Sequence, residues 1–108
     1  MDEKYLTLQR NNINIYEKLL YKDILRITKN FNTSIFNNNE CVLYKNYILN
    51  SVNKKCVYFR LNNKKFVLQR LLYYNYINDI KVNEYIKYNC NNKNNYGICC
   101  NINHIYKK

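Results

Sequence analysis

Cys99-Cys100-Asn101-Ile102-Asn103-His104-Ile105, with Cys90 a little way ahead of it, is the stretch on which the fold turns. Five cysteines in a chain that looks intracellular point to metal ligation rather than disulfides. Zinc takes four N or S ligands in a tetrahedron, and a closed structural site uses Cys and His only. Cys90, Cys99 and His104 offer three ligands from one segment, so the fourth must come from upstream, where Cys41 and Cys56 are the options. Such a site adds folding free energy, which suits a chain with a small core.

Working outward, the patterning is that of an α+β chain. Val57, Phe59 and Leu61 alternate with Tyr58 and Arg60, the period-two mark of a half-buried strand. Asn62-Asn63 predicts a turn, and Lys64-Lys65-Phe66-Val67-Leu68 the returning strand of a hairpin with a basic tip. A helix is expected over 69–79, with Leu72, Tyr76 and Ile80 on one face. Short strands are expected at Val42-Leu43-Tyr44, at Tyr47-Ile48-Leu49 and from Val82 to Ile86. Nearer the N-terminus, Tyr16, Leu20, Ile24, Ile27 and Phe31 recur at helical spacing, with Leu19 widening the stripe. This predicts a helix from Asn14 to about Phe31, with Asn14 as N-cap and Glu17 as its capping-box partner. Asn37-Asn38-Asn39-Glu40 reads as a loop, and residues 87–108 show little periodicity.

The chain has 108 residues, room for one domain and not two. A domain of this size buries only about 60–65% of the surface its unfolded chain exposes. One Gly and no Pro exclude collagen-like, flexible-linker and PxxP chains, and 47% apolar residues argue against disorder. No apolar run approaches the ~20 residues of a membrane span. The opening Met1-Asp2-Glu3-Lys4 is acidic where a secretory signal would be basic. An intracellular or virion location is therefore expected, with no membrane partner and no small-molecule substrate. Asn, Lys, Ile and Tyr dominate and Ala is absent. That usage is what an AT-rich genome produces, as in many large DNA viruses.

From Cys41 to Ile105 the chain resembles the zinc-containing branch of the HNH endonucleases, the ββα-metal (His-Me finger) family that includes the His-Cys box enzymes. That family runs from Cys-Trp-x-Trp through a β-hairpin to a His-Arg that opens a helix. A short strand and His-x-Cys follow, and it closes on Cys-x-Asn-Pro-x-His-Leu. Here Cys41-Val42-Leu43-Tyr44 opens, Val57 to Leu68 is the hairpin, and Gln69-Arg70 begins the helix. Tyr88-Asn89-Cys90 stands at the His-x-Cys position, and Cys99-Cys100-Asn101-Ile102-Asn103-His104-Ile105 closes. The ending is also similar to that of the Smad DNA-binding domain, which shares the fold and its zinc site without nuclease activity. The resemblance implies a small zinc-stabilised ββα-metal domain over 41–108, preceded by an N-terminal helical extension over 1–40, the whole a single compact unit. It implies one structural Zn2+ on Cys41, Cys90, Cys99 and His104, with Cys56 as the alternative to Cys41 and Cys100 without a ligand role.

The catalytic positions of that family are degenerate. Its general base, the His before the first zinc Cys of the closing segment, is Tyr88 here, and a phenol with an ordinary pKa near ~10 is a poor base at neutral pH. The His of its His-Arg pair is Gln69, and no helix is expected after His104 to hold a catalytic metal. The expected protein is a non-enzyme that keeps the family's binding surface. Lys54, Lys55, Arg60, Lys64, Lys65 and Arg70 lie on or near the hairpin, suited to phosphates of nucleic acid, double-stranded DNA foremost. Arg60 and Gln69 are the types that read base edges. A net charge of +11 favours a polyanion partner. Thirteen Tyr exceed what so small a core can bury, though Tyr16 and Tyr76 are expected to pack inward. The other reading is a small basic structural component of a virion or other large assembly, using the same fold for protein–protein contacts.

Overall fold

The hairpin is where periodicity and structure meet most closely. In the computed structural model, which describes residues 3–108, so that Met1 and Asp2 of the acidic opening fall outside it, Tyr58–Leu61 and Lys64–Val67 pair antiparallel. Arg60 stands opposite Lys65 and Phe59 opposite Phe66. Asn62 and Asn63 turn the chain with φ of 51° and 65°. Two consecutive left-handed residues match the strand twist of a two-residue hairpin, and Asn tolerates that region better than most side chains. Phe59 and Leu61 are buried while Tyr58 and Arg60 are exposed, as the alternation requires.

In chain order the elements are α1 (Lys4–Thr7), α2 (Tyr21–Thr28), β1 (Ile48–Leu49), β2 (Lys55–Cys56), β3 (Tyr58–Leu61), β4 (Lys64–Val67), α3 (Leu68–Tyr76), β5 (Ile86–Tyr88) and β6 (Ile105–Lys107), with a 3-10 turn at Lys93–Asn95. The strands form three separate antiparallel pairs, β1–β2, β3–β4 and β5–β6. This is a small α+β fold in which hairpin β3–β4 runs directly into α3. Leu68, Leu71 and Leu72 of α3 share one core with Ile24 and Ile27 of α2, Val57, Phe59 and Leu61 of the hairpin, and Tyr5, Phe31 and Ile35. Residues before Cys41 thus pack in the same core as those after it. No helix among the described residues is long and apolar enough to cross a membrane.

Several expectations are corrected. The first long helix begins at Tyr21, not Asn14. Residues 17–19 are held out of the helix by Asn75, whose Oδ1 accepts from the Leu19 N–H at 3.0 Å and whose Nδ2 donates to the Glu17 carbonyl at 3.0 Å. Leu20 stands at the N-cap, and the N3 residue Asp23 reaches back to accept from its N–H at 2.9 Å. Asn14 instead accepts from the Tyr16 N–H in a local turn. Tyr16 is therefore 71% exposed rather than packed inward. Tyr76 is half-buried, its hydroxyl donating to the Tyr5 carbonyl at 2.7 Å. Val82 is exposed and the strand lies later, over Ile86–Tyr88, because its partner is the C-terminal Ile105–Lys107, in a region with no periodic signal. Val42-Leu43-Tyr44 forms only isolated bridges.

Candidate metal centre and basic hairpin

Three backbone alignments bring the cysteines and the histidine together. Residues 42–44 run beside 98–100: the Cys100 N–H donates to the Val42 carbonyl at 2.7 Å, and Leu43 bridges Cys99. This sets Cys41 next to Cys99. The β5–β6 ladder is extended by the Asn89 N–H on the His104 carbonyl at 3.0 Å, which sets Cys90 next to His104. Between Cys99 and His104 the chain doubles back, with the His104 N–H on the Asn101 carbonyl at 2.9 Å.

The outcome is a group of Cys41, Cys90, Cys99 and His104 whose ligand atoms all lie within 4.8 Å of one another. His104 Nδ1 is 3.7 Å from Cys41 Sγ and 3.6 Å from Cys99 Sγ. Zinc bond lengths of ~2.3 Å to S and ~2.0–2.1 Å to N imply S···N edges of about 3.6 Å in a regular tetrahedron. The donor set and the spacing therefore fit one ion of the zinc type. Cys90 and Cys99 are buried, and Cys41 and His104 are partly buried. Cys56 lies apart on β2 with its thiol toward the Lys54 carbonyl, and Cys100 is sealed in the apolar core.

The electrostatics of the free thiols are those of a pocket that wants a cation. Burial pushes the Cys90 thiol well up, with Cys41 and Cys99 adding to it. Burial also raises Cys99, but the backbone N–H groups of Asn101 and Val42 point at its sulfur and favour the thiolate. A bound dication reverses the burial effect, because a coordinating thiol is deprotonated.

Asn101 is the residue that composition and spacing left without a role. It is fully buried, its Nδ2 donates to the carbonyls of Asn37 and Glu40 at 2.8 and 2.7 Å, and its Oδ1 accepts from the Asn103 N–H at 2.8 Å. It thereby ties the loop ahead of Cys41 to the turn that carries Cys99 and His104. Gly97 makes a second tie. Its φ is +91°, and a Cβ there would collide with the Lys55 carbonyl oxygen, so β2 can approach the metal loop only at a glycine.

Gln69 is buried, its Nε2 donating to the Gly97 carbonyl at 2.9 Å and the Cys99 carbonyl at 3.4 Å. It braces α3 against the metal loop and is closed to bases, a correction to its expected reading of base edges. Tyr88 stacks on Tyr96 at 5.5 Å, and burial followed by the surrounding cysteines pushes its hydroxyl further above the ordinary phenol range.

The basic residues divide into two sets. Arg60, Lys64 and Lys65 are exposed on the hairpin, and Lys65 Nζ sits 4.2 Å over the Tyr58 ring. Lys54 is exposed as well. Lys55 is drawn in, its ammonium on the Asn94 carbonyl at 2.9 Å. Arg70 is also drawn in: its guanidinium donates to the Glu84 carbonyl and, at 3.0 Å, to the Lys81 carbonyl. Its place at the start of α3 gave no sign that the 81–84 turn folds over it.

No protein-family model matches the chain, and no solved structure matches it. The HNH resemblance therefore rests on motif order alone. An uncharacterized protein of Acanthamoeba polyphaga mimivirus is 46% identical to the chain over 93 residues, covering 83% of this chain and 26% of the viral protein. The chain spans about a quarter of that relative's length. The relative is viral, in keeping with the AT-rich residue usage.

Proposed function

We propose that this is a zinc-stabilised, non-catalytic HNH-like domain that binds nucleic acid, with duplex DNA as the first candidate, through the outward side chains of hairpin β3–β4. Zn2+ would be held by Cys41, Cys90, Cys99 and His104, where it supplies folding free energy and no reaction step. The passage from hairpin directly into α3, beside the four-residue cluster, supports the HNH-like reading. The observation that carries the binding function is the hairpin itself, which lifts Arg60, Lys64 and Lys65 into solvent from a ribbon anchored by buried Phe59 and Leu61. A two-stranded ribbon fits the DNA major groove, and such cations bind phosphates with release of counterions. The absence of catalysis is argued from Tyr88: a half-buried phenol with a raised pKa is no base at neutral pH.

Metal content by plasma mass spectrometry and duplex binding followed against salt test the two halves. One zinc per chain is expected, and none in freshly reduced protein overturns the metal site. Lys64→Glu with Lys65→Glu should weaken binding about equally on all DNA sequences and lower the salt slope by about 2. An effect confined to one sequence would mean that the hairpin reads bases.

A second reading has its own observation. Tyr47, Ile48, Leu49 and Val52 on and around β1 are each more than 40% exposed, an apolar tip suited to contacts within a large viral assembly. Self-association abolished by Ile48→Lys with Leu49→Lys, alongside undiminished DNA binding, would assign that tip to assembly.

A further inference from the structure

Between α2 and the tip of hairpin β3–β4 lies an open groove of about 680 Å3, within the ~300–1,000 Å3 range of ligand sites. Lys18, Lys22 and Arg26 line it from the helix side, and Arg60 faces them from β3. Two contacts clamp the walls together. Asn62 Nδ2 donates to the Tyr16 carbonyl at 2.8 Å, and the Arg26 guanidinium, stacked 4.5 Å over Phe59, donates to the Arg60 carbonyl at 3.3 Å. The one acid in the lining, Asp23, is buried and already engaged by the Leu20 N–H and by Arg26. Among the described residues, the side chains of Lys18, Lys22 and Arg60 have no ion pair and no hydrogen bond. Unpaired like charges converging on a concave surface raise the local potential and draw an anion. On the rim, Tyr16 stands 71% exposed, held there by its backbone while its ring is free.

We propose that this groove binds a single strand of nucleic acid, its phosphates between Lys18, Lys22, Arg26 and Arg60 and a base stacked on Tyr16. The inference rests on the nucleic-acid reading of the hairpin and adds a second surface of different shape. A convex ribbon enters the groove of a duplex, whereas a concave, cation-lined channel with an exposed aromatic ring at its edge suits one backbone whose bases are free to stack. Arg60 belongs to both surfaces, so a strand leaving a duplex at the hairpin would meet the groove directly.

The test is fluorescence anisotropy on the full chain, with a labelled oligothymidine about 12 nucleotides long and a labelled duplex of the same length. Lys18→Glu with Lys22→Glu should weaken oligothymidine binding about tenfold or more and leave duplex binding within about twofold. Tyr16→Ala, which keeps the backbone contact to Asn62, should weaken oligothymidine binding about fivefold or more. Thermal melts check that each variant is folded. Single-strand affinity unchanged in both variants overturns the groove, while the hairpin is judged separately by duplex binding in Lys64→Glu/Lys65→Glu. Single-strand binding lost only in that hairpin variant also overturns the groove. A chain that binds neither probe overturns both surfaces.

Discussion

Around α3, Leu68, Leu71 and Leu72 share a core with Ile24, Ile27 and Val57, and the fully buried side chain of Asn75 is saturated. Its Oδ1 accepts from Gln9 and Leu19, and its Nδ2 donates to Glu17 and Leu71. Around His104 the buried thiols Cys90 and Cys99 and the amide of Asn101 sit beside buried Val42, Ile98 and Ile105. One end coheres by removing apolar surface from water, at about 25 cal/mol per Å2. The other end buries polar groups among its apolar ones, and its strands β1–β2 and β5–β6 pair over two and three positions. Cohesion there draws also on Asn101, on Gln69 and on whatever the four ligand atoms hold.

Two variants separate the ends most sharply. With zinc in place, Cys99→Ser is expected to release the metal and strip hydrogen-exchange protection from residues 86–107, a loss of many kcal/mol for that end, since structural zinc contributes about 10 kcal/mol or more. Leu72→Ala, at a fully buried site, should cost about 2–5 kcal/mol in urea denaturation while the metal stays bound. Loss of protection over the whole chain in Cys99→Ser would break the comparison and make the metal the organiser of both ends. A smaller effect is expected at Asn101→Ala, which leaves the Glu40 carbonyl without its donor and the Asn37 carbonyl with Asn103 Nδ2 alone. Competition with a chromophoric chelator should show zinc affinity reduced about 10–100-fold, as for other groups that hold metal ligands in place.

Tyr76→Phe is the mildest probe and tests the apolar end. It removes the bond to the Tyr5 carbonyl and should cost about 1 kcal/mol at neutral pH. Burial, with Tyr5 beside it, raises the Tyr76 hydroxyl above the ordinary phenol value of ~10. Above about pH 10 the unfolded chain then sheds a proton that the folded one keeps, so stability falls as pH rises. Urea midpoints between neutral and alkaline pH should fall less steeply in the phenylalanine variant.

The same division explains what could be read from the residues in advance. The β3–β4 hairpin and α3 were legible because burial imposes a period on side chains, and Asn62-Asn63 marks its own turn. The convergence of Cys90, Cys99 and His104 was legible because one segment carries them, whereas Cys41 came only through motif order. The start of α2 was not legible because the groups that hold residues 14–19, Tyr74 and Asn75, lie more than fifty positions away. Strand β6, the burial of Gln69 and the tethering of Arg70 were not legible for a related reason: their partners are backbone groups, which leave no trace in residue type.

Gly97 is the chain's single glycine, at the point where β2 crosses the metal loop. Glycine codons begin with two guanines, and the coding bias behind so many Asn, Lys, Ile and Tyr residues runs against them. A glycine set against that bias falls at a position where a Cβ has no room. The route of evolutionary drift is correspondingly narrow: any replacement at this position must be preceded by a shift of β2, and with it of Cys56 and the neighbouring lysines.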